Sequence, residues 1–176
     1  MRIFGVDPGL RFTGYACVDA DPDQPHVSPT LVEAGVFRLP AGRTIADRLV
    51  ELDADLTEVL ARLRPGVAGV ESLFSHYKRP TTAVAMGHAR GVILLAIRRT
   101  GARIIELKPT RVKKSLTGFG HASKDQMQEA VRAQLNLRER PEPADVADAI
   151  AVALCVARTW EGAGVESPGA HTLGPL

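Results

Sequence analysis

Apolar residues recur along this chain with a period of two in some stretches and of three to four in others, and the switches between them lay out its elements. Residues 2–6 form an apolar, β-prone run that stops at a carboxylate, Asp7, and is followed at once by the turn signal Pro8-Gly9. Apolar residues resume at Tyr15, Ala16, Cys17 and Val18, so a second strand folds back as a hairpin and fixes Asp7 at a strand end. After a polar loop, residues 30–37 predict a third strand and a meander. From Thr44, with Asp47 three residues on as in a capping box, Ile45, Leu49, Leu52, Leu56, Val59, Leu60 and Leu63 make one helical stripe, which Pro65-Gly66 ends. Residues 67–70 predict a short strand that also ends in a carboxylate, Glu71. A strand, a helix and a strand in succession point to a parallel pair, with this strand beside the first.

The second half alternates similarly. Residues 72–80 read as an exposed loop carrying Phe74, His76, Tyr77, Lys78 and Arg79, and a helix spans about residues 82–99, with Gly87 and Gly91 four apart on one face. That spacing admits a close neighbour, either a core helix or a second subunit. A strand over 103–107 leads through Lys108-Pro109 into a short basic helix with Arg111, Lys113 and Lys114. Residues 117–122 read as a flexible connector. Ser123 and Gln126 then form a capping box for a helix to about residue 135, with Lys124 in its first position. The final helix, from Ala144 to about Trp160, is apolar nearly all round and should be buried.

Composition narrows the class. A chain of 176 residues with 45% apolar and 24% charged residues fits one soluble domain, taken as residues 1–160, with the Gly- and Pro-rich residues 161–176 as a mobile tail. Cys17 and Cys155 sit inside apolar runs without metal-ligand spacing, which suits a reducing compartment. The longest apolar run, residues 92–97, is far too short to span a bilayer, so a cytoplasmic protein with no membrane partner is expected.

Charge is unevenly spread. Residues 71–140 hold 14 of the 22 Lys and Arg but only 5 of the 20 Asp and Glu, an excess of nine positive charges against a net of minus seven elsewhere. A polyanion across this region would meet Lys78, Arg79, Lys108, Arg111, Lys113, Lys114 and Lys124; the alternative is a solvated face. Phe74 and Tyr77, interleaved with cations, suit stacking on bases, unless they fold back onto the core. Lys124 lies where the helix dipole disfavours a cation, which suggests an anion contact or simply an exposed lysine.

The acids carry the chemistry. Asp7 either caps its turn or serves a cation. Asp145 suits the first turn of the last helix, but Asp148 lies deeper amid small apolar residues and needs a partner. With Asp7 and Glu71 ending adjacent strands and Asp145 and Asp148 on one helix face, an all-oxygen site results, which selects Mg2+ or Mn2+ over Zn2+. Paired cations in such a site hydrolyse phosphodiesters. Together these signals indicate a metal-dependent nuclease.

The runs Gly5-Val-Asp7-Pro-Gly-Leu-Arg-Phe-Thr-Gly14, Val70-Glu71-Ser-Leu-Phe74, Met86-Gly-His-Ala-Arg-Gly-Val92 and Ala144-Asp-Val-Ala-Asp-Ala-Ile-Ala151 resemble the RuvC family of bacterial Holliday-junction resolvases, in the same order and over about residues 1–160. The resemblance implies a ribonuclease-H-like α/β fold, a mixed five-stranded sheet with helices on both faces. It implies a homodimer that resolves four-way DNA junctions in recombination and repair by symmetric, paired nicks. Two Mg2+ per site are implied, with Mn2+ as a substitute, and the RuvA-RuvB branch-migration complex is a partner. Carried over by position, Asp7, Glu71, Asp145 and Asp148 are the catalytic metal ligands, Phe74 stacks on an unpaired base, and Lys113 and Lys124 lie near the scissile strand. Some members carry His at the third acid position, so Asp145 is the most variable ligand. Other readings are a sugar-kinase or actin-like ATPase, which needs a second related domain, the shorter RuvX-like family, and a junction-binding module without catalysis.

Overall fold

The computed structural model describes residues 1–9, 11–24, 26–72 and 80–160. Its elements run β1 (Arg2–Asp7), β2 (Phe12–Asp19), β3 (Thr30–Arg38), α1 (Ile45–Leu63), β4 (Val67–Glu71), α2 (Pro80–Arg99), β5 (Arg103–Leu107), α3 (Pro109–Thr117), α4 (Lys124–Gln134) and α5 (Ala144–Thr159). The five strands form one sheet in the order β3-β2-β1-β4-β5. β1, β2 and β3 form the antiparallel meander, and β1, β4 and β5 pair in parallel. The sheet is therefore mixed. Parallel neighbours need crossovers, and α1 and α2 supply them. β2 begins three residues before its apolar run does, because Gly14 and Thr13 lie within the ladder rather than in the turn.

Side-chain alternation along the strands divides the core in two. Phe4, Val6, Cys17, Ala68 and Val70 face α1 and α2, where Leu52, Leu56, Leu60, Ile93 and Ile97 are fully or almost fully buried. Ile3, Ala16, Val18 and Val67 face α5, with Val112, Met127 and Val131 of α3 and α4 closing that layer. Every residue from Val146 to Val156 except Asp148 is buried, as an all-round apolar helix requires.

Two local expectations change. Residues 117–122 are not a flexible connector: Gly118 takes the left-handed conformation that ends α3, and the Thr117 hydroxyl donates to the Lys113 carbonyl and accepts from the Phe119 amide. Gly87 and Gly91 face open space, with Val84 and Leu95 of the same helix 60% and 51% exposed, so no core helix approaches them. The predicted loop at 73–79 and the tail at 161–176 lie outside the described residues. No helix among the described residues is long and apolar enough to cross a membrane.

Candidate active site

Register fixes the first two acids. Val6 pairs with Val70, so Asp7 and Glu71, the next residues on these parallel strands, finish side by side at one end of the sheet. Gly5 and Gly69 pair on the face toward α5, and alternation puts both carboxylates on that same face.

The other two acids arrive because the sheet is bare under the helix. A Cβ on Gly14, the register partner of Asp7, would lie 2.0 Å from the Asp145 carbonyl oxygen, and one on Gly5 would lie 2.3 Å from that of Ala149. Gly69 makes the same accommodation for Val152 and Val156 farther along α5. The α5 backbone therefore rests on the sheet itself, and its first turn delivers Asp145, and the next turn Asp148, beside Asp7. These three glycines are the functional positions that motif reading overlooked. Their signal was present: glycine inside a strand marks a close backbone approach.

The electrostatics of the group are strained. Burial, then repulsion from Glu71, Asp148 and Asp145, pushes the Asp7 carboxyl well above its ordinary range, against a smaller opposite pull from Lys124. Asp7 retains a partial opening to solvent. Glu71 rises to about 7 through burial and the charge of Asp148, with Lys113 opposing. Burial also raises Asp148, which both Lys124 and Lys113 pull down. None of the ion pairs among the described residues reaches these carboxylates.

Among the described residues no three acidic, histidine or cysteine side chains stand close enough to enclose an ion without moving. The four acids thus share one end of the sheet without forming a closed cage. A hard divalent cation fits this donor set, since it would offset the repulsion that raises their proton affinity.

Of the seven expected basic contacts, two reach the acids. Lys124 opens α4 after a complete Ser123–Gln126 capping box, and its charge acts on Asp7 and Asp148. Lys113 is half-buried on α3, and its Nζ donates to the Ala122 carbonyl at 2.9 Å, which ties α3 to the turn before Lys124. Lys108, Arg111 and Lys114 are exposed, and the charge of Arg111 acts on the Cys155 thiol, toward the far end of α5. Phe74, Tyr77, Lys78 and Arg79 lie outside the described residues.

Residues 3–156 match the family model described as crossover junction endodeoxyribonuclease RuvC. The chain belongs to the RuvC family. The match spans all five strands and all four acids. A RuvC from Rhodopirellula baltica is 50% identical over 155 residues, 87% of this chain and 84% of its own length. The Thermus thermophilus RuvC structure superposes with a TM-score of 0.80 at 32% identity, covering 90% of this chain and 94% of that one. The same RuvC in complex with a Holliday junction substrate gives 0.79 at 29% identity, with the same coverage.

Proposed function

We infer that this RuvC-family chain is a crossover junction endodeoxyribonuclease that resolves Holliday junctions in homologous recombination and DNA repair, by paired, symmetric hydrolysis of phosphodiesters. The observation that carries the site assignment is the meeting of Asp7, Glu71, Asp145 and Asp148 at one end of a sheet, under mutual repulsion that bound cations would offset.

RuvC nucleases depend on divalent metal. In this reading the four carboxylates hold two Mg2+, with Mn2+ able to substitute. Held there, divalent cations would supply an activated water as nucleophile and charge stabilisation for the leaving oxygen. The chain's own residues do the rest. Lys113 and Lys124 attract the phosphate toward an end of the sheet that otherwise repels it. The bond from Lys113 to Ala122 holds α3 and the start of α4 in one geometry, so the two cations stay fixed relative to the acids. Phe74, three residues past Glu71, stacks on an unpaired base at the crossover; Tyr77, Lys78, Arg79, Lys108, Arg111 and Lys114 contact the arms.

One site nicks one strand, and a four-way junction needs two matched nicks, so the working unit is a homodimer. The bare face of α2, with Gly87 and Gly91 open and Val84 and Leu95 exposed, supports that reading. Residues 1–160 form the nuclease unit. It works in the cytoplasm, and the RuvA-RuvB branch-migration complex is the expected protein partner. The direct test is Asp7→Asn: cleavage of a synthetic four-way junction should fall at least about a thousandfold while junction binding persists. Retained cleavage would remove Asp7 from the site, and loss of binding as well would make it a structural residue.

A further inference from the structure

The two cations whose charges act on the carboxylates, Lys113 and Lys124, come from α3 and α4. On the other side, at the turn end of the β1–β2 hairpin, the chain exposes an aromatic and a guanidinium together. Phe12 and Arg38 are register partners across β2 and β3, and the Arg38 guanidinium lies over the Phe12 ring, 5.9 Å from its centroid. Both are exposed, Phe12 by 39%.

Their face follows from the ladder. Asp7 pairs with Gly14, and Phe12 is two residues before Gly14 on the same strand, so Asp7, Gly14, Phe12 and Arg38 share one side of the sheet. That side carries α5, whose first turn sits over Gly14; Phe12 and Arg38 therefore lie just ahead of the helix, on uncovered sheet. The position is well anchored: the Leu39 amide donates to the Arg11 carbonyl at 2.9 Å, tying the hairpin turn to the end of β3, and Thr13 is fully buried with its hydroxyl donating to the Gly9 carbonyl. Neither Arg11 nor Arg38 enters an ion pair among the described residues.

We propose that Arg38, seated on Phe12, binds a backbone phosphate of the junction strand where it passes the carboxylates on the β3 side. A guanidinium held against an aromatic face keeps its edge free for a phosphate and loses little side-chain freedom on binding. With Lys113 and Lys124 on the opposite side, the strand is gripped both before and after the scissile bond, which fixes its path across the acids. The proposal rests on the nuclease reading for its ligand, junction DNA.

The test compares the full-length Arg38→Gln and Phe12→Leu proteins with Arg64→Gln, a charge-matched control at the C-cap of α1, at the opposite end of the strands from the carboxylates. Binding of a fluorescent four-way junction is measured in EDTA over a range of KCl, and cleavage is measured with Mg2+. Arg38→Gln should raise Kd and KM about fivefold and reduce the slope of log K against log salt by about 0.9, the share of one phosphate contact. Phe12→Leu should raise Kd by a smaller factor with the slope retained, since the guanidinium loses its seat and not its charge. Arg38→Gln indistinguishable from Arg64→Gln in Kd and slope overturns the proposal. A wild-type protein that binds the junction with the full slope but cuts nothing overturns the nuclease reading and leaves the contact standing.

Discussion

At the scale of single residues, Glu71 is the most informative titrating group. Its carboxyl is raised from 4.5 to about 7, so the folded protein retains a proton that the unfolded chain releases. That contribution to stability is complete below pH 4.5 and is lost as pH rises through about 7. Without metal, Glu71→Gln should therefore be more stable than wild type by about 2 kcal/mol near pH 8, with the gap closing toward the acid side. Thermal melts in EDTA across pH check this, and a constant gap would mean that the charge is not the cause. Gly14 acts by absence. Gly14→Ala would drive a methyl into the Asp145 carbonyl and lift the start of α5, so Mn2+ affinity by calorimetry should fall about tenfold. Gly69→Ala, which meets Val152 and Val156 at the far end of the helix, should change it by less than about twofold. Equal losses in the two variants would make Gly14 a packing residue only.

At the scale of elements, the periodic stretches were legible and the irregular ones were not. Of the α1 stripe from Ile45 to Leu63 the fold buries Leu52, Leu56, Val59, Leu60 and Leu63, leaves Leu49 half-buried and exposes Ile45 in the first turn, and the parallel pairing of β1 and β4 follows from the crossover. The turn at 117–122 looks like a linker because of Gly118 and Gly120, whereas a threonine hydroxyl and the Lys113 ammonium lock it. The intimate seating of α5 was also missed, since it depends on where Gly5, Gly14 and Gly69 fall in register, which a linear pattern does not display. The four acids could be picked out singly, but their mutual repulsion emerged only with the sheet assembled. Lys113 belongs to this scale because it joins α3 to α4. Lys113→Met, which keeps the stem and removes the ammonium, should slow cleavage at saturating junction about a hundredfold. A loss confined to KM would reduce it to an affinity contact.

At the scale of the whole molecule, the described residues bring the acids to one end of the sheet and leave a face of α2 uncovered. The basic excess in residues 71–140 predicts strongly salt-dependent junction binding. The open side of α2 predicts that Gly91→Arg converts a dimer into a monomer of near-normal melting temperature, read by light scattering; an unchanged mass would move the interface elsewhere. The measurement that tests the account most directly is the mapping of cuts on synthetic four-way junctions of several sequences, beside linear duplex, with Mg2+, Mn2+ or EDTA. Paired nicks at symmetry-related positions near the crossover, present with either metal and absent in EDTA and on duplex, are the predicted result. Tight junction binding with no cuts under any metal would contradict the account and leave a junction-binding module in its place.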